Sequence, residues 1–279
     1  MARIVLGNRE GTLAVRHGRS VMETLSEEWP DLHVSVRTLQ GGEGAQPLLE
    51  ALKKGSIDVA VVQLDTLPPS LPDDLTLAAV CRRPEARSAL VAKGGASLDS
   101  LPQGATVGVF SARDGAFLAA ARPGVETRLL TGTPEQRLSL VTSGELAAIV
   151  MPAAALIALD LRDHLGALLD VEAFTPAPGQ GAVGLVVRAD DDLAFESIYP
   201  LQHRPSFDRA RAERAFAAAV GEMPVGAAAT VTDDGELTLV GAVVKDDTTL
   251  QASVSGEARE ADELGRELAA DVMDRLAKI

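Results

Sequence analysis

A chain of 279 residues that is 46% hydrophobic but only 3% aromatic can bury two or three aliphatic cores, so more than one domain is expected. Its net charge of −14 at pH 7 opposes general affinity for nucleic acid or anionic lipid, and an anionic ligand would need a local basic pocket. The single cysteine, Cys81, excludes an internal disulfide and a cysteine-based zinc cluster, and four scattered histidines suggest no metal site. No apolar run reaches the roughly twenty residues of a membrane span and no secretory segment opens the chain, so a cytoplasmic location is expected.

Residues 3–6 form a short apolar strand that runs into Gly7-Asn8-Arg9-Glu10-Gly11, after which Thr12 can cap a helix bearing Leu13, Val21, Leu25 and Trp29 on one face. A strand, a glycine loop and a helix start aim backbone N–H groups at an anion, and Arg9 adds charge there. The same arginine reads equally as a solvated residue of a connecting loop. Leu32, Val34 and Val36 alternate as a second strand, and residues 47–54 form a short amphipathic helix reached through the flexible Gly41-Gly42-Glu43-Gly44. Asp58-Val-Ala-Val-Val-Gln-Leu64 is the near-continuous apolar run of a buried parallel strand. Its carboxyl end, Asp65-Thr66, falls at the cleft edge of an open α/β sheet, where Asp65 suits a cleft carboxylate or a turn cap. Residues 75–81 and 88–92 are further strands joined by a basic segment, and Cys81 reads as a small buried hydrophobe.

From about Leu101 the pattern restarts as strand 106–109, helix 112–121, strand 127–130, helix 134–142, strand 147–150 and helix 153–161, which predicts a second parallel α/β unit. Arg113 lies at the first of these helix starts, and Arg137 lies in the second helix near Thr131-Gly132-Thr133. Each suits an anion in a cleft between units, or an exposed helix position. Pro176-Ala-Pro-Gly-Gln-Gly-Ala-Val-Gly184 sets a lone glutamine among residues that bend the backbone. It reads as a hinge that aims the Gln180 amide into a cleft, or as a tight loop entering strand 182–187. A helix near 193–201 and a long helix 207–220, with Arg209, Arg211 and Arg214 on its surface, come next. Strands 227–232, 236–244 and 248–255, followed by amphipathic helix 262–277, make a three-stranded antiparallel α+β unit.

Several of these pieces, in this order, resemble the hydroxymethylbilane synthase (porphobilinogen deaminase) family: Gly7-Asn8-Arg9 with Leu13-Ala14, Asp58-Val-Ala-Val, Cys81-Arg-Arg with Arg87-Ser-Ala, and Gly132 with Arg137-Leu138. The proline-glycine segment around Gln180, and Ala212-Glu-Arg-Ala with Pro224-Val-Gly226, extend the resemblance over nearly the whole chain. It implies an α/β fold of two periplasmic-binding-protein-like domains, residues 1–84 with 179–202 and residues 85–178, plus a C-terminal α+β domain, residues 203–279. It also implies condensation of four porphobilinogen molecules into hydroxymethylbilane, with loss of ammonia, on a dipyrromethane primer joined to a third-domain cysteine. The implied partner is a small carboxylated pyrrole, with neither nucleic acid nor membrane.

The departures fall on the chemistry. Where the family shows a lysine–aspartate pair, this chain has Asp65-Thr66, so Thr66 holds the position of the family's catalytic aspartate. Asp65 is then the candidate replacement, although strand alternation aims it at the opposite face unless the strand end is bulged. The family's paired arginines appear as Arg113-Asp114, and a further carboxylate-binding arginine position is Thr131. The primer loop reads Gly221-Glu222-Met223-Pro224, without a thiol, so no covalent attachment is expected. Arg9, Arg113, Arg137 and Gln180 remain as the substrate-binding set. Two functions stay open: a synthase of weak or lost turnover, and a degenerate paralogue that binds a small carboxylate or pyrrole.

Overall fold

Aliphatic runs too continuous to leave one face in water build the centres of two sheets. The computed structural model describes residues 2–42 and 44–278, so Glu43 of the glycine loop lies outside the described residues. The first lobe begins with β1 (Arg3–Arg9), α1 (Thr12–Glu28), β2 (His33–Leu39), α2 (Gln46–Lys53), β3 (Val59–Gln63) and β4 (Leu75–Val80). The second lobe follows as β5 (Ser88–Ala92), β6 (Thr106–Val109), α3 (Ala112–Ala121), β7 (Glu126–Leu129), α4 (Pro134–Thr142), β8 (Ala148–Pro152), α5 (Ala153–Ala158) and β9 (Ala167–Leu168). The chain returns to the first lobe through β10 (Val183–Arg188) and α6 (Asp192–Ile198). A third unit comprises α7 (Arg204–Val220), β11 (Val225–Val231), β12 (Glu236–Lys245), β13 (Thr248–Glu257) and α8 (Ala261–Leu276).

The first sheet has the order β2-β1-β3-β10-β4 and the second β7-β6-β8-β5-β9. In each, four strands run one way, three of them paired directly in parallel as the alternating pattern predicts, but β10 and β5 run antiparallel to both neighbours. These two strands arrive straight from the segments connecting the lobes, without the crossover helix that a parallel neighbour requires. The third sheet, β11-β12-β13, is antiparallel throughout and is covered by α8.

Each lobe packs both faces of its sheet. Leu48, Leu52, Ile57 and Val62 form one layer of the first lobe, and Ile4, Leu6, Val21 and Leu25 form the other. In the second lobe Phe117, Phe174 and Val107 pack together with Ala242 and Val244 of β12, so the third unit shares that core. Two placements differ from expectation. Trp29 is 42% exposed as the C-cap of α1, because Pro30 stops the helix before that turn closes, and its indole N–H donates to the Ser197 carbonyl at 2.9 Å. Arg214 is buried rather than on the surface of α7, because the proline turn after β3 presents bare carbonyls that it bonds, at 2.7 Å to Pro68 and 3.0 Å to Pro69.

The three units meet at one carboxylate. Glu213 on α7 accepts from Arg83 at 2.7 Å, from the Gly179 N–H at 2.8 Å and from the Ala229 N–H at 2.9 Å. The side chains of Arg83 and Glu213 are both fully buried. Arg83 lies on the segment leaving the first lobe and Gly179 on the segment returning to it, so the pair ties both crossings to the third unit. Removing one partner of a buried pair strands the other without solvent or counter-charge. Glu213→Ala should therefore lower unfolding stability by about 3–5 kcal/mol, read from urea denaturation, and an unchanged midpoint would contradict this role.

Candidate functional site

A cleft of about 480 Å³ opens between the lobes, and one wall is built by the junction of β1 and α1. Gly11, rather than Thr12, is the N-cap of α1, at φ 101°, with no side chain capping the helix. Gly11, Thr12, Leu13 and Ala14 all line the cleft, which places first-turn backbone donors without intrahelical partners on its wall. Arg9 lines the same wall, its guanidinium steadied by donation to the carbonyls of Leu39 at 3.3 Å and Gly42 at 3.1 Å. A helix start and a guanidinium together favour an anion there.

The floor is the end of β3. The ladder stops at Gln63, and residues Leu64–Thr66 form a single 3-10 turn. Leu64 is fixed beneath the glycine segment: Gly179 has φ 77°, and a Cβ there would lie 2.8 Å from that of Leu64. Strand alternation therefore no longer governs Asp65, which lines the cleft instead of pointing to the opposite face. Its Oδ1 is buried without a hydrogen-bond partner. Burial first, and then the neighbouring Asp114 charge, raise the Asp65 carboxyl to about 6, against the opposing pull of Arg83 and the local backbone N–H groups. Thr66 is exposed at the cleft edge, its hydroxyl donating to the Gln63 carbonyl at 2.8 Å.

The facing wall carries Phe110, Gly132, Thr133, Pro134 and Arg137. The Arg137 guanidinium lies 4.1 Å from the Phe110 ring centroid, and its Nε is buried without a partner. Burial lowers its pKa from the ordinary arginine value. A deeper chamber of about 210 Å³ continues past Asp65 and is lined by His17, Cys81, Pro152, Ile157 and Val183 among others. The His17 imidazole is pushed down to about 4, mainly by burial and secondarily by Arg16. His17 was not singled out from the sequence, yet its i,i+4 spacing from both Leu13 and Val21 is a signal that placed it on the inner face of α1. Arg16 itself pairs with Asp160 across the lobes.

The structure brings Arg9, Asp65, Thr66 and Arg137 together but takes Arg113 and Gln180 elsewhere. The Arg113 guanidinium donates to the carbonyls of Val225 and Thr175 and to Asp114, and it lies 3.9 Å from the Phe117 ring centroid. It joins the second lobe to the third unit, and a Cβ at Gly226 would lie 2.8 Å from the guanidinium, so glycine there makes room for it. Gln180 is buried, with its amide donating to the Ala86 carbonyl at 2.6 Å and to Ser88 at 3.1 Å. It laces the two connecting segments together and does not face the cleft. Gly181, at φ 75°, makes this possible, since a Cβ there would meet the Glu85 carbonyl oxygen at 2.3 Å. Gly221 and Glu222 are exposed beyond α7 and line neither cavity.

The family model for "Porphobilinogen deaminase, dipyromethane cofactor binding domain" matches residues 4–196. A porphobilinogen deaminase of Thermus thermophilus is 41% identical, with 99% of this chain and 97% of that protein aligned. One from Deinococcus radiodurans is 36% identical over 99% of this chain and 96% of its own length. The chain belongs to the porphobilinogen deaminase family. Its two-lobed portion also shares a fold with a YaeC-family lipoprotein of Enterococcus faecalis, at a TM-score of 0.50 and 11% identity, covering 72% of this chain and 91% of that one.

In this member of the porphobilinogen deaminase family two cleft groups titrate in opposite senses. Asp65 rises from 3.8 to about 6 on folding, so the folded state holds its proton more tightly, and the stability this contributes is lost as pH climbs between those values. His17 falls from 6.5 to about 4, so its contribution is present at neutral pH and is lost as pH drops through that range. In urea unfolding followed from pH 4 to 6.5, Asp65→Asn should leave a stability that rises with pH, and His17→Gln one that falls. Identical profiles for both variants and wild type would contradict these assignments.

Proposed function

We propose that this family member binds a small carboxylated pyrrole, porphobilinogen or a bilane, in the inter-lobe cleft, and that its hydroxymethylbilane synthase turnover is weak or absent. The reading rests on what the cleft keeps and what it has replaced. Arg9 and Arg137 line it from opposite lobes, with the open start of α1 beside Arg9, which suits carboxylate recognition. At the end of β3 the family's aspartate position is a threonine whose hydroxyl is turned back onto its own turn. The relatives named porphobilinogen deaminase support the substrate class.

Condensation with loss of ammonia develops positive charge beside the pyrrole nitrogen, and a fixed negative group there stabilises it. Asp65 is the carboxylate that remains at this strand end, offset by one residue along a turn. Losing a preorganised group of this kind slows a reaction on the order of a hundredfold to a thousandfold. Asp65 in its displaced position supports at most a slow reaction.

The residues present do not fit a covalently attached dipyrromethane. Gly221 offers no sulfur and adopts φ 85°, a conformation unfavourable to side-chain-bearing residues. The lone Cys81 lines the inner chamber, and burial pushes its thiol up to about 11, which keeps it protonated and unreactive at neutral pH. A primer, where one is used, is held by carboxylate contacts alone. Among the described residues no helix is long and apolar enough to cross a membrane, and the proposed site of action is the cytoplasm.

Intact-mass measurement should return the bare 279-residue chain, and an adduct mapped to Cys81 would refute noncovalent retention. In calorimetry porphobilinogen should bind, and Arg137→Ala should weaken it by roughly 2–5 kcal/mol, the cost of truncating one partner of a desolvated pair. Turnover with supplied primer near that of a cysteine-bearing relative would overturn the claim of weak activity, and absence of pyrrole binding would remove the substrate class.

A further inference from the structure

Six buried side-chain atoms among the described residues lack a hydrogen-bond partner, and only two of them, Asp65 Oδ1 and Arg137 Nε, belong to residues that line the cleft. One is an acceptor with no donor and the other a donor with no acceptor, and buried polar atoms of native folds ordinarily have partners. They sit on opposite lobes of the same cleft. The other carboxylate lining it, Glu10, accepts from the Gly41 N–H at 3.1 Å on the exposed rim. Among the described residues no side chain donates to Asp65 Oδ1. Arg83 and Arg113 act on it only through space, and Asp114 repels it.

We infer, resting on the carboxylated-ligand reading above, that Asp65 receives the primary ammonium of the ligand while Arg9 and Arg137 hold its carboxylate, so that the cleft selects molecules bearing both groups. An ammonium brings three donors and no acceptor, which suits an unpaired carboxylate oxygen at the mouth of an otherwise mostly apolar chamber. Arg137 Nε finds its acceptor in the ligand carboxylate, as a charge-assisted bond. At the matched position the family resemblance gives lysine, so Asp65 reverses the charge that the strand end presents to an amine. Its selectivity is pH-dependent. The groups acting on Asp65 are Asp114, Arg83, Arg113 and the backbone N–H groups of Asp65 and Thr66, and His17, which lines the same cavities, stays neutral until about pH 4.

Calorimetry on the full chain with two matched pairs of probes tests this: porphobilinogen against the same pyrrole dicarboxylate without its aminomethyl group, and 5-aminovalerate against valerate. At pH 7.5 the amine-bearing member of at least one pair should bind about tenfold or more tightly, the scale of one charge-assisted contact. Asp65→Asn should abolish the preference. The wild-type preference should shrink as pH falls through about 6, where Asp65 takes up a proton. If both pyrroles bind equally, and valerate as well as 5-aminovalerate, the inference is overturned and the pyrrole reading stands. If neither pyrrole binds but 5-aminovalerate is preferred over valerate and Asp65→Asn removes that preference, the pyrrole reading falls and the inference stands. Absence of binding by all four probes, or an amine preference that persists in Asp65→Asn, overturns the inference. The wild-type pairs decide the matter even if the variant fails to fold.

Discussion

A single fully buried carboxylate, that of Glu213, sets the relation of the three units. Taking an ion pair out of water is costly, and the cost is offset only when remaining lone pairs are also satisfied. Here Glu213 accepts one side-chain and two backbone donors, drawn from both lobe-connecting segments and from β11. The cleft geometry follows from that point outward. Gly179, held by Glu213, presses on Leu64, and Leu64 sets the turn that displays Asp65. Gln180, next along, ties the returning segment to Ala86 and Ser88, so the two crossings act as one unit.

Asp65 stands where the resemblance places a lysine and Asp114 where it places an arginine. The two lie close enough for Asp114 to raise the Asp65 carboxyl. Arg113 is committed to the Val225 and Thr175 carbonyls, so it serves the interface with the third unit. The cationic lining is thereby concentrated in Arg9 and Arg137, on opposite lobes, with an acid at the floor between them.

Much of the architecture was legible because local signals agreed. The starts of α3 and α4 follow Ser111 and Thr133, whose side chains accept from Asp114 and Gln136 N–H groups, and both helices span the residues that the pattern assigns. Strand direction was not legible, since an apolar run reads the same either way, and only the path between lobes makes β5 and β10 antiparallel. Arg9 and Arg137 line the cleft. Arg113 and Gln180 could not be placed from local pattern, because their partners are carbonyls 62, 112 and 94 residues away in the chain. The direction of Asp65 stays open in the sequence, because strand alternation stops governing a residue where the strand has become a turn.

The insertion of β10 between β3 and β4 bears on the order in which the molecule is built during synthesis. Neither neighbour pairs with the other, so β4 has no partner in its sheet until residues 183–188 have been made. All the strands of the second lobe are complete by Leu168, and one of its two aliphatic layers is drawn entirely from residues made by then. Local pairings form before distant ones because closing a long loop costs entropy in advance of any contact. The lobe that leaves the ribosome first is thus finished second, with the edges of β3 and β4 open to other chains in the interval.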